Sequence, residues 1–304
     1  MDFKRSEYPE RSWSLSKYNI FKQCKRKYYY STYAHWNGWE DNCSPETRKA
    51  YILGKLQDVY SLSGILIHKY IRNAFKFKIK DPNYIYDAII RELRSACENS
   101  LKDVVRWRKQ PKNFTMLHEY YYGNGISEVL ADEVKDRINK CCNNFYKSMS
   151  YSDIIDKNSK IYELDEDEYT FFFFNGIKVY AKLDIFYEYL NQLTIVDWKT
   201  GSADSDNHKL QMLIYYLYIE QKFKNNKIDF VKCIDEYLLV GQRFTEILNH
   251  KDINEIGIFI NESIQEINSY LQDIELNKPK NIDSFPKCRS ALCTKCNYIE
   301  LCQG

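Results

Sequence analysis

Two aspartates and a lysine lie in neighbouring apolar runs, AKLDIFYE and IVDWKTG, whose composition is typical of β-strands. Side chains two residues apart in a strand face the same side, so Asp197 and Lys199 project together. A turn at 190–191 places Asp184 opposite Asp197. A turn at 191–192 places it opposite Lys199. Either turn leaves the three charged side chains on one face of a β-hairpin, whereas a three- or five-residue turn does not.

The chemistry of such a face follows from its charges. Two carboxylates on one sheet face repel each other unless a cation lies between them. Hard divalent ions such as Mg and Mn prefer oxygen ligands. A lysine two residues further on can orient a metal-bound water and stabilise charge that develops on a phosphate. The pattern therefore indicates phosphodiester hydrolysis, although a lone Asp-x-Lys is also a common surface pair on a strand edge.

Other polar residues at helical spacing support this interpretation. His68 follows Gly64 in GILIH on a predicted helix, and its imidazole could complete a metal shell. Gln211 and Tyr215 are one helical turn apart just after the acidic strand, so they share a face that could approach a phosphate or a base. Each of these signals alone is also compatible with an ordinary packed residue.

A second cluster consists of cysteines in LCTKCNYIELCQG, where Cys293, Cys296 and Cys302 form a C-x₂-C-x₅-C pattern. The chain has 10 cysteines, and its first residues lack an apolar leader. We therefore expect a cytoplasmic, reducing environment and a metal or redox role rather than disulfides. Thiolates suit iron–sulfur clusters and zinc equally well. The remaining cysteines without ligand spacing are Cys43, Cys97, Cys141, Cys142 and Cys233.

Composition and periodicity predict a soluble chain with both helices and strands. Hydrophobic residues make up 44%, charged residues 28%, and the net charge is +2, which indicates neither a membrane span nor a wholly basic surface. A P-loop motif is missing from the sequence, so the chain carries no nucleotide-driven motor of that kind.

Helices are predicted in 12–35 (capped by Ser14 or Ser16), SGILIHKYIRNAFKFKI, 84–155, NHKLQMLIYYLYIEQKF and 251–276. Strands are predicted in YTFFFFNGIKVYAKLDIFYE with a turn at Asn175-Gly176, in LTIVDWKTG and in DFVKCIDEYLLVG.

These motifs occur in a recognisable order: LSKYNIFKQCKRKYYY, G-x-x-x-H, LDIF, VDWKTG, Q-x-x-x-Y and C-x₂-C-x₅-C. The order resembles that of RecB-like PD-(D/E)XK nucleases, and more narrowly their iron–sulfur subgroup, which includes the CRISPR adaptation nuclease and the AddB nuclease domain. The resemblance covers nearly the whole chain except 84–155. It implies an α/β fold with a restriction-endonuclease-like core, a central mixed β-sheet flanked by helices. The domain would span 1–304, with a helical insertion at 84–155 and an iron–sulfur region formed by Cys24 and 288–302.

The resemblance assigns roles to the residues of the acidic hairpin. It implies that His68, Asp184, Asp197 and the backbone carbonyl of Trp198 bind a catalytic Mg or Mn ion. Lys199 would act on the attacking water. Gln211 and Tyr215 would belong to the catalytic and DNA-binding motif that follows the core strand. Two departures are visible: position 197 is Asp rather than the Glu of many relatives, and position 182 is Lys where relatives often carry a small residue.

The resemblance also implies a ligand set for the cysteine cluster. A [4Fe–4S] cluster would be held by Cys24, Cys293, Cys296 and Cys302, joining the two ends of the chain. Cys288 is a competing ligand, because it would complete an entirely C-terminal zinc site with the other three. The sequence leaves this choice open.

Basic residues beside these motifs are candidates for contacts with the DNA backbone. Lys25, Arg26 and Lys27 flank Cys24, with Lys22 one turn earlier. A solvated helix face explains the same charges equally well. Further basic residues follow His68 at Arg72, Lys76 and Lys78.

The function that the resemblance implies is a metal-dependent DNA nuclease, with exonuclease action on single-stranded or end-containing DNA favoured. CRISPR adaptation, recombination and anti-phage defence all fit, with a helicase, an integrase or another defence-complex protein as partner. Two alternatives stay open. One is a catalytically silent DNA-binding or assembly subunit with the same fold, and the other is a zinc-stabilised nucleic-acid-binding protein.

Overall fold

The computed structural model describes residues 6–164, 170–202, 208–223, 228 and 230–303. Tyr169, Asn207 and Asp229, with which three of the predicted elements begin, lie outside the described residues. The α-helices are α1 (Leu15–Gln23), α2 (Lys25–Tyr29), α3 (Pro45–Leu53), α4 (Val59–Phe77), α5 (Pro82–Lys102), α6 (Val104–Lys109), α7 (His118–Tyr121), α8 (Glu128–Lys147), α9 (Met149–Ile155), α10 (His208–Lys222), α11 (His250–Asn268) and α12 (Ile299–Gln303). The strands are β1 (Ser12–Trp13), β2 (Ser159–Leu164), β3 (Phe171–Phe174), β4 (Ile177–Tyr180), β5 (Ile185–Tyr189), β6 (Gln192–Lys199), β7 (Phe230–Tyr237), β8 (Gln242–Asn249), β9 (Leu271–Asp273) and β10 (Lys278–Pro279).

The main sheet has the strand order β2-β5-β6-β7-β8, in which β6 and β7 are parallel and the other pairs antiparallel. A smaller sheet has the order β1-β4-β3. In β5–β6, Ile185 pairs with Val196. The turn residues Leu190 and Asn191 both have positive φ, 49° and 62°, as a two-residue turn of the primed type requires. The register is therefore the one that puts Asp184 opposite Asp197.

Helices cover both faces of the main sheet, so the sheet is the middle of three layers. On one face, α1, α10 and α11 pack with the small sheet in a core that includes Phe21, Ile195 and Tyr216. On the other face, α4, α5 and α8 form a second core that reaches Trp198 and Ile234. The prediction of a mixed sheet flanked by helices is confirmed.

The helical prediction for 12–35 is wrong at one point. Cys24 has an extended backbone (φ −160°, ψ 112°) and ends α1. Its Sγ accepts a hydrogen bond from the backbone N–H of Lys27, so it also caps α2. Of the two proposed caps of α1, Ser14 is the one used. Because this extended backbone interrupts the helical repeat at Cys24, α1 and α2 are separate helices.

The other predicted elements agree with the structure to different degrees. The last long helix ends at Asn268 rather than near 276, and β9 begins at Leu271. Segment 84–155 is helical as predicted, from α5 to α9, and its status as an insertion stays a prediction. The turn at Asn175-Gly176 joins β3 to β4, also with positive φ at both residues. In the described part of the chain, every helix is too short or too polar to cross a membrane.

Candidate active site

The β5–β6 hairpin brings the predicted acidic residues together. Asp184 immediately precedes β5, and its Oδ2 accepts a 2.7 Å hydrogen bond from the backbone N–H of Trp198. Asp197 Oδ2 lies 2.6 Å from Lys199 Nζ. Asp184 and Asp197 are buried, with 9% and 5% of their surface exposed. The strand period and the two-residue turn thus place the three side chains in one polar site, as the sequence predicts.

Helix α4 brings His68 to the same site. Its Nδ1 lies 2.9 Å from Asp184 Oδ1. One turn earlier on the helix, Gly64 lies against the loop after β6, where an added Cβ would meet Thr200 Oγ1 at 3.0 Å. A glycine therefore lets α4 approach closely enough for His68 to reach Asp184.

Helix α10 contributes Gln211 and Tyr215, which both face Asp197. The Gln211 side chain accepts from Lys199 Nζ at 2.6 Å and donates to Asp197 Oδ1 at 3.2 Å. The Tyr215 hydroxyl accepts from Gln211 Nε2 at 2.5 Å. Its single proton goes to one of two acceptors, the Lys182 carbonyl at 2.6 Å or Asp197 Oδ1 at 3.0 Å. Both residues thus fix the orientation of Asp197.

Burial and charge set the protonation states in this site. Burial raises the pKa of Asp197 and the Asp184 charge raises it further, although Lys199 opposes both effects. Burial alone would lower the pKa of Lys199, but the carboxylates of Asp197 and Asp235 raise it above its usual value. Burial, together with the charges of Asp197 and Asp184, keeps the pKa of Tyr215 well above 10.0, so Tyr215 remains a phenol at neutral pH. Lys199 is therefore a cation in this site and is not a proton acceptor.

Asp235 is a site residue that the sequence analysis missed. It lies on β7, opposite Asp197 in the parallel register, with 6% of its surface exposed. Its Oδ1 is 3.6 Å from Lys199 Nζ and 3.5 Å from His208 Nδ1. Burial, with Asp197 nearby, raises its pKa to about 7, while Lys199 opposes this shift. The available signal was an acidic residue within the apolar strand VKCIDEYLL.

The donor set of this site suits a hard divalent cation. Two buried carboxylates lie close together, and burial raises the pKa of Asp197 with a smaller contribution from the Asp184 charge. A cation between them would stabilise their charged forms. In the arrangement described, His68 contacts Asp184 directly and Lys199 contacts Asp197. The described residues accordingly contain no group of three or more His, Cys, Asp or Glu side chains poised around a single ion. Coordination by these residues and by the Trp198 carbonyl stays a prediction.

The proposed cluster ligands lie together at a separate place. Cys24, Cys293, Cys296 and Cys302 all line one cavity of about 520 Å³, which Cys288 also lines. Burial raises the pKa of the Cys296 thiol, with smaller contributions in the same direction from Cys24 and Cys293, and with opposing effects from the Tyr298 backbone and Lys27. The thiol set fits a soft metal or an iron–sulfur cluster by its chemistry. Cys24 and Cys288 both line the cavity, so either could be the fourth ligand.

The basic residues near Cys24 occupy different environments. Lys22 and Lys25 both lie 3.3 Å from Glu266 of α11. Arg26 is buried, and its Nε donates to the Phe285 carbonyl at 2.8 Å. Lys27 lines the cysteine cavity. Contacts of Lys25, Arg26 and Lys27 with DNA stay a prediction, as do those of the residues after His68.

A mixed sheet covered by helices, with two aspartates and a lysine on one hairpin face, is typical of α/β phosphodiesterases. Comparison with known families narrows this class. The sequence model of the PD-(D/E)XK nuclease superfamily matches residues 12–303, and the chain belongs to this superfamily. No curated protein matches the chain.

Proposed function

We propose that the protein is a Mg- or Mn-dependent DNA nuclease that acts on single-stranded or end-containing DNA. The observation that carries this proposal is the convergence of Asp184, Asp197 and Lys199 on one face, with His68 and Gln211 in contact with them. Membership of the nuclease superfamily supports the reaction type. Exonuclease rather than endonuclease action rests on the resemblance to RecB-like enzymes.

The residues of the site have distinct roles in the proposed reaction. Asp184, Asp197 and His68 would hold the ion, which when bound supplies Lewis-acid stabilisation of phosphate charge and a more acidic water. The Lys199 ammonium stabilises the negative charge that develops on the phosphate. Gln211 accepts from that ammonium at 2.6 Å and, together with Asp197, fixes its position. Because these groups are positioned before substrate binds, little reorganisation is needed during the reaction.

The finer assignment is to the iron–sulfur subgroup of RecB-like nucleases. Its support is the common cavity of Cys24 and the three C-terminal cysteines. In this proposal the [4Fe–4S] cluster has a structural role. The protein would work in CRISPR adaptation, recombination or anti-phage defence, with a helicase, an integrase or another defence-complex protein supplying any unwinding or integration.

The test is cleavage of end-labelled single- and double-stranded DNA with Mg, with Mn or with EDTA. We expect metal-dependent cleavage by the wild type. Lys199→Ala and Asp184→Asn should each lower the rate by roughly a hundredfold or more, as loss of a group that stabilises transition-state charge does. Circular dichroism and thermal unfolding check that both variants fold.

Two matched controls lie on the same sheet. Lys232→Ala changes a lysine on β7 whose position in the strand places it on the opposite face from Asp235. Glu188→Gln changes the acid at the far end of β5, where it accepts from Tyr162. Both controls should retain wild-type activity. Full activity in Lys199→Ala and Asp184→Asn would refute the assignment, and DNA binding without any wild-type cleavage would favour an assembly subunit.

A further inference from the structure

A cleft beside the acidic site is not explained by the roles assigned so far. Its volume is about 590 Å³, and it lies between the start of α1 and the β4–α10 side of the molecule. Gln211 and Tyr215 form part of its lining and also contact Asp197. The cleft is therefore continuous with the residues that orient the proposed catalytic carboxylate.

The described charged residues that line this cleft are both lysines. Lys17 comes from α1, and Lys182 comes from the segment before Asp184. Among the described residues that line it, none carries a carboxylate. The two lysines suit the phosphates of a polyanion. The adjoining acidic site could then take one of these phosphates if a metal ion lies between it and the carboxylates.

Both lysines line the cleft, and Lys17 also lines a second cavity together with Ser12 and Glu10. The Lys17 ammonium donates to the Ser12 hydroxyl at 2.7 Å and lies 5.6 Å from the centre of the Tyr180 ring. Burial lowers the pKa of Lys17, although Glu10 opposes the shift. The backbone of Lys182 is fixed by the Tyr215 hydroxyl at 2.6 Å, while its side chain is exposed. A phosphate would therefore give the partly buried Lys17 an anionic partner.

The size and the aromatic lining favour one strand over two. A volume of about 590 Å³ lies within the roughly 300–1,000 Å³ range of pockets for small ligands, which fits a short piece of one strand. Tyr180 is half-buried at the wall of the cleft. Bases of single strands stack on such rings in a manner that tolerates any sequence.

From these features we infer that the cleft holds single-stranded DNA next to the bond to be cleaved. Lys17 and Lys182 contact its phosphates, and Tyr180 stacks on a base. This inference rests on the proposed nuclease function and specifies its substrate. It also gives a role to Lys182, the position where this sequence departs from the small residue that is frequent in the family it resembles.

The experiment measures binding separately from cleavage. Fluorescence anisotropy with a labelled dT oligonucleotide in EDTA reports the Kd, and a salt titration reports the number of phosphate contacts. The variants are Lys182→Gln, Lys17→Gln, their combination and Tyr180→Ala, with Tyr180→Phe to retain the ring. Lys160→Gln is the matched control, because Lys160 also lies over a tyrosine ring (4.4 Å from that of Tyr162) but on the edge strand β2.

We expect each lysine variant to raise the Kd severalfold, and the double variant to reduce the salt slope by about 1.4, since each contact with a single strand contributes about 0.7. Tyr180→Ala should weaken binding by roughly fivefold or more while Tyr180→Phe binds as the wild type does. Lys160→Gln and binding to a blunt duplex should be unaffected. Because Lys182 is exposed, Lys182→Gln tests the inference even if Lys17→Gln fails to fold.

Two results would overturn the inference: an unchanged Kd and salt slope in Lys182→Gln, or an equal loss of affinity for blunt duplex. Either result could occur while the wild type still cleaves DNA. The nuclease proposal would then stand, and the proposed role of the cleft would be rejected. Conversely, weakened single-strand binding in a protein that never cleaves would support the cleft and refute the nuclease.

Discussion

At the scale of single residues, Lys199 is the centre of the polar site. Its ammonium lies 2.6 Å from Asp197 Oδ2 and 2.6 Å from Gln211 Oε1, with Asp235 Oδ1 at 3.6 Å. The surrounding carboxylates raise the pKa of Lys199 despite its burial. A lysine held as a cation can stabilise charge on a phosphate but cannot remove a proton from water. In the proposed reaction its role is therefore electrostatic.

We treat Asp235 as a positioning residue for this ammonium, because its Oδ1 lies 3.6 Å from Lys199 Nζ while Asp197 holds the same ammonium at 2.6 Å. We predict that Asp235→Asn lowers kcat by roughly tenfold to a hundredfold, the cost of a misplaced catalytic group, and changes KM little. Steady-state kinetics on single-stranded DNA measures kcat and KM separately. Glu236→Gln is the control, since the neighbouring acid points to the other face and accepts from Ser150 at 2.5 Å. Equal kcat values for both variants would contradict the role of Asp235.

The difference between Asp197 and Asp235 shows what sequence can reveal at this scale. Asp197 and Lys199 belong to one strand, and Asp184 is joined to them by a two-residue turn, so local periodicity suffices to place them together. Asp235 comes next to Asp197 only because β7 pairs in parallel with β6 after the intervening α10. A pairing over that sequence distance leaves no periodic signal in the sequence.

At the scale of secondary-structure elements, the position of α4 decides whether His68 reaches Asp184. We predict that Gly64→Ala lowers the cleavage rate severalfold, because its Cβ would meet Thr200 Oγ1 at 3.0 Å and push the helix outward. Any gain in helix propensity, up to about 1 kcal/mol, acts on stability and not on this distance. The measurement is the cleavage rate together with the melting temperature.

A double-mutant cycle with Thr200→Ala tests whether the contact between the new Cβ and Thr200 Oγ1 causes the loss of activity. Removal of the hydroxyl should restore activity to a protein that also carries Gly64→Ala. Gly257→Ala in α11 is a second comparison, since its Cβ would meet Phe174 at an ordinary 3.4 Å, and it should leave activity unchanged. Independent effects of the Gly64 and Thr200 substitutions would show that this contact does not position α4.

Helices α1 and α11 are joined through Glu266, which gives a pH-dependent contribution to stability. Partial burial alone would raise the pKa of Glu266, but hydrogen bonds from Tyr18, Lys25 and Lys22 hold it below 4.5. A carboxyl with a lowered pKa in the folded state stabilises the fold fully above its unfolded value, and this contribution is lost as the pH falls through the folded value. Stability should therefore decrease below about pH 4.5.

We predict that Glu266→Gln lowers the urea midpoint at pH 7 and flattens its decrease between pH 5 and pH 3, roughly the range where carboxyls titrate. Glu262→Gln, one turn earlier on α11 and exposed, should keep the wild-type profile because it makes none of these three hydrogen bonds. A Glu266→Gln profile parallel to that of the wild type would mean that the three contacts contribute nothing through charge.

Element boundaries were less predictable than element types. The apolar spacing of 12–35 predicts one helix, yet the extended backbone of Cys24 divides it into two. The spacing also extends the last long helix beyond Asn268, where the chain instead turns into β9. In both places, contacts with the C-terminal segment compete with helix continuation: Arg26 donates to Phe285, and Lys280 donates its backbone N–H to Tyr270. Such contacts are non-local and outweigh local propensity.

At the scale of the whole molecule, the segment that carries the C-terminal cysteines packs on helices from the first half of the chain. The Tyr30 hydroxyl donates to the Leu301 carbonyl at 2.7 Å, and Asn297 Nδ2 donates to the Leu56 carbonyl at 2.9 Å. Tyr298 lies in a core with Leu53 and Trp107. These contacts do not involve sulfur. Packing therefore brings the cysteines together, and a metal or cluster bound by them would close a structure that is already in place.

This arrangement predicts how the protein responds to loss of one thiol. If Cys24 completes the ligand set, Cys24→Ala should lose the bound iron or zinc and melt at a lower temperature, whereas Cys288→Ala should keep both properties. Because the packing around Tyr298 persists, we expect the variant to remain folded and its C-terminal segment to become sensitive to protease. Metal analysis, visible absorbance of an anaerobic preparation and limited proteolysis measure these three effects. Retention of metal by Cys24→Ala with its loss in Cys288→Ala would instead place all four ligands in the C-terminal segment, as in a zinc site, and the two ends of the chain would then be joined by packing alone.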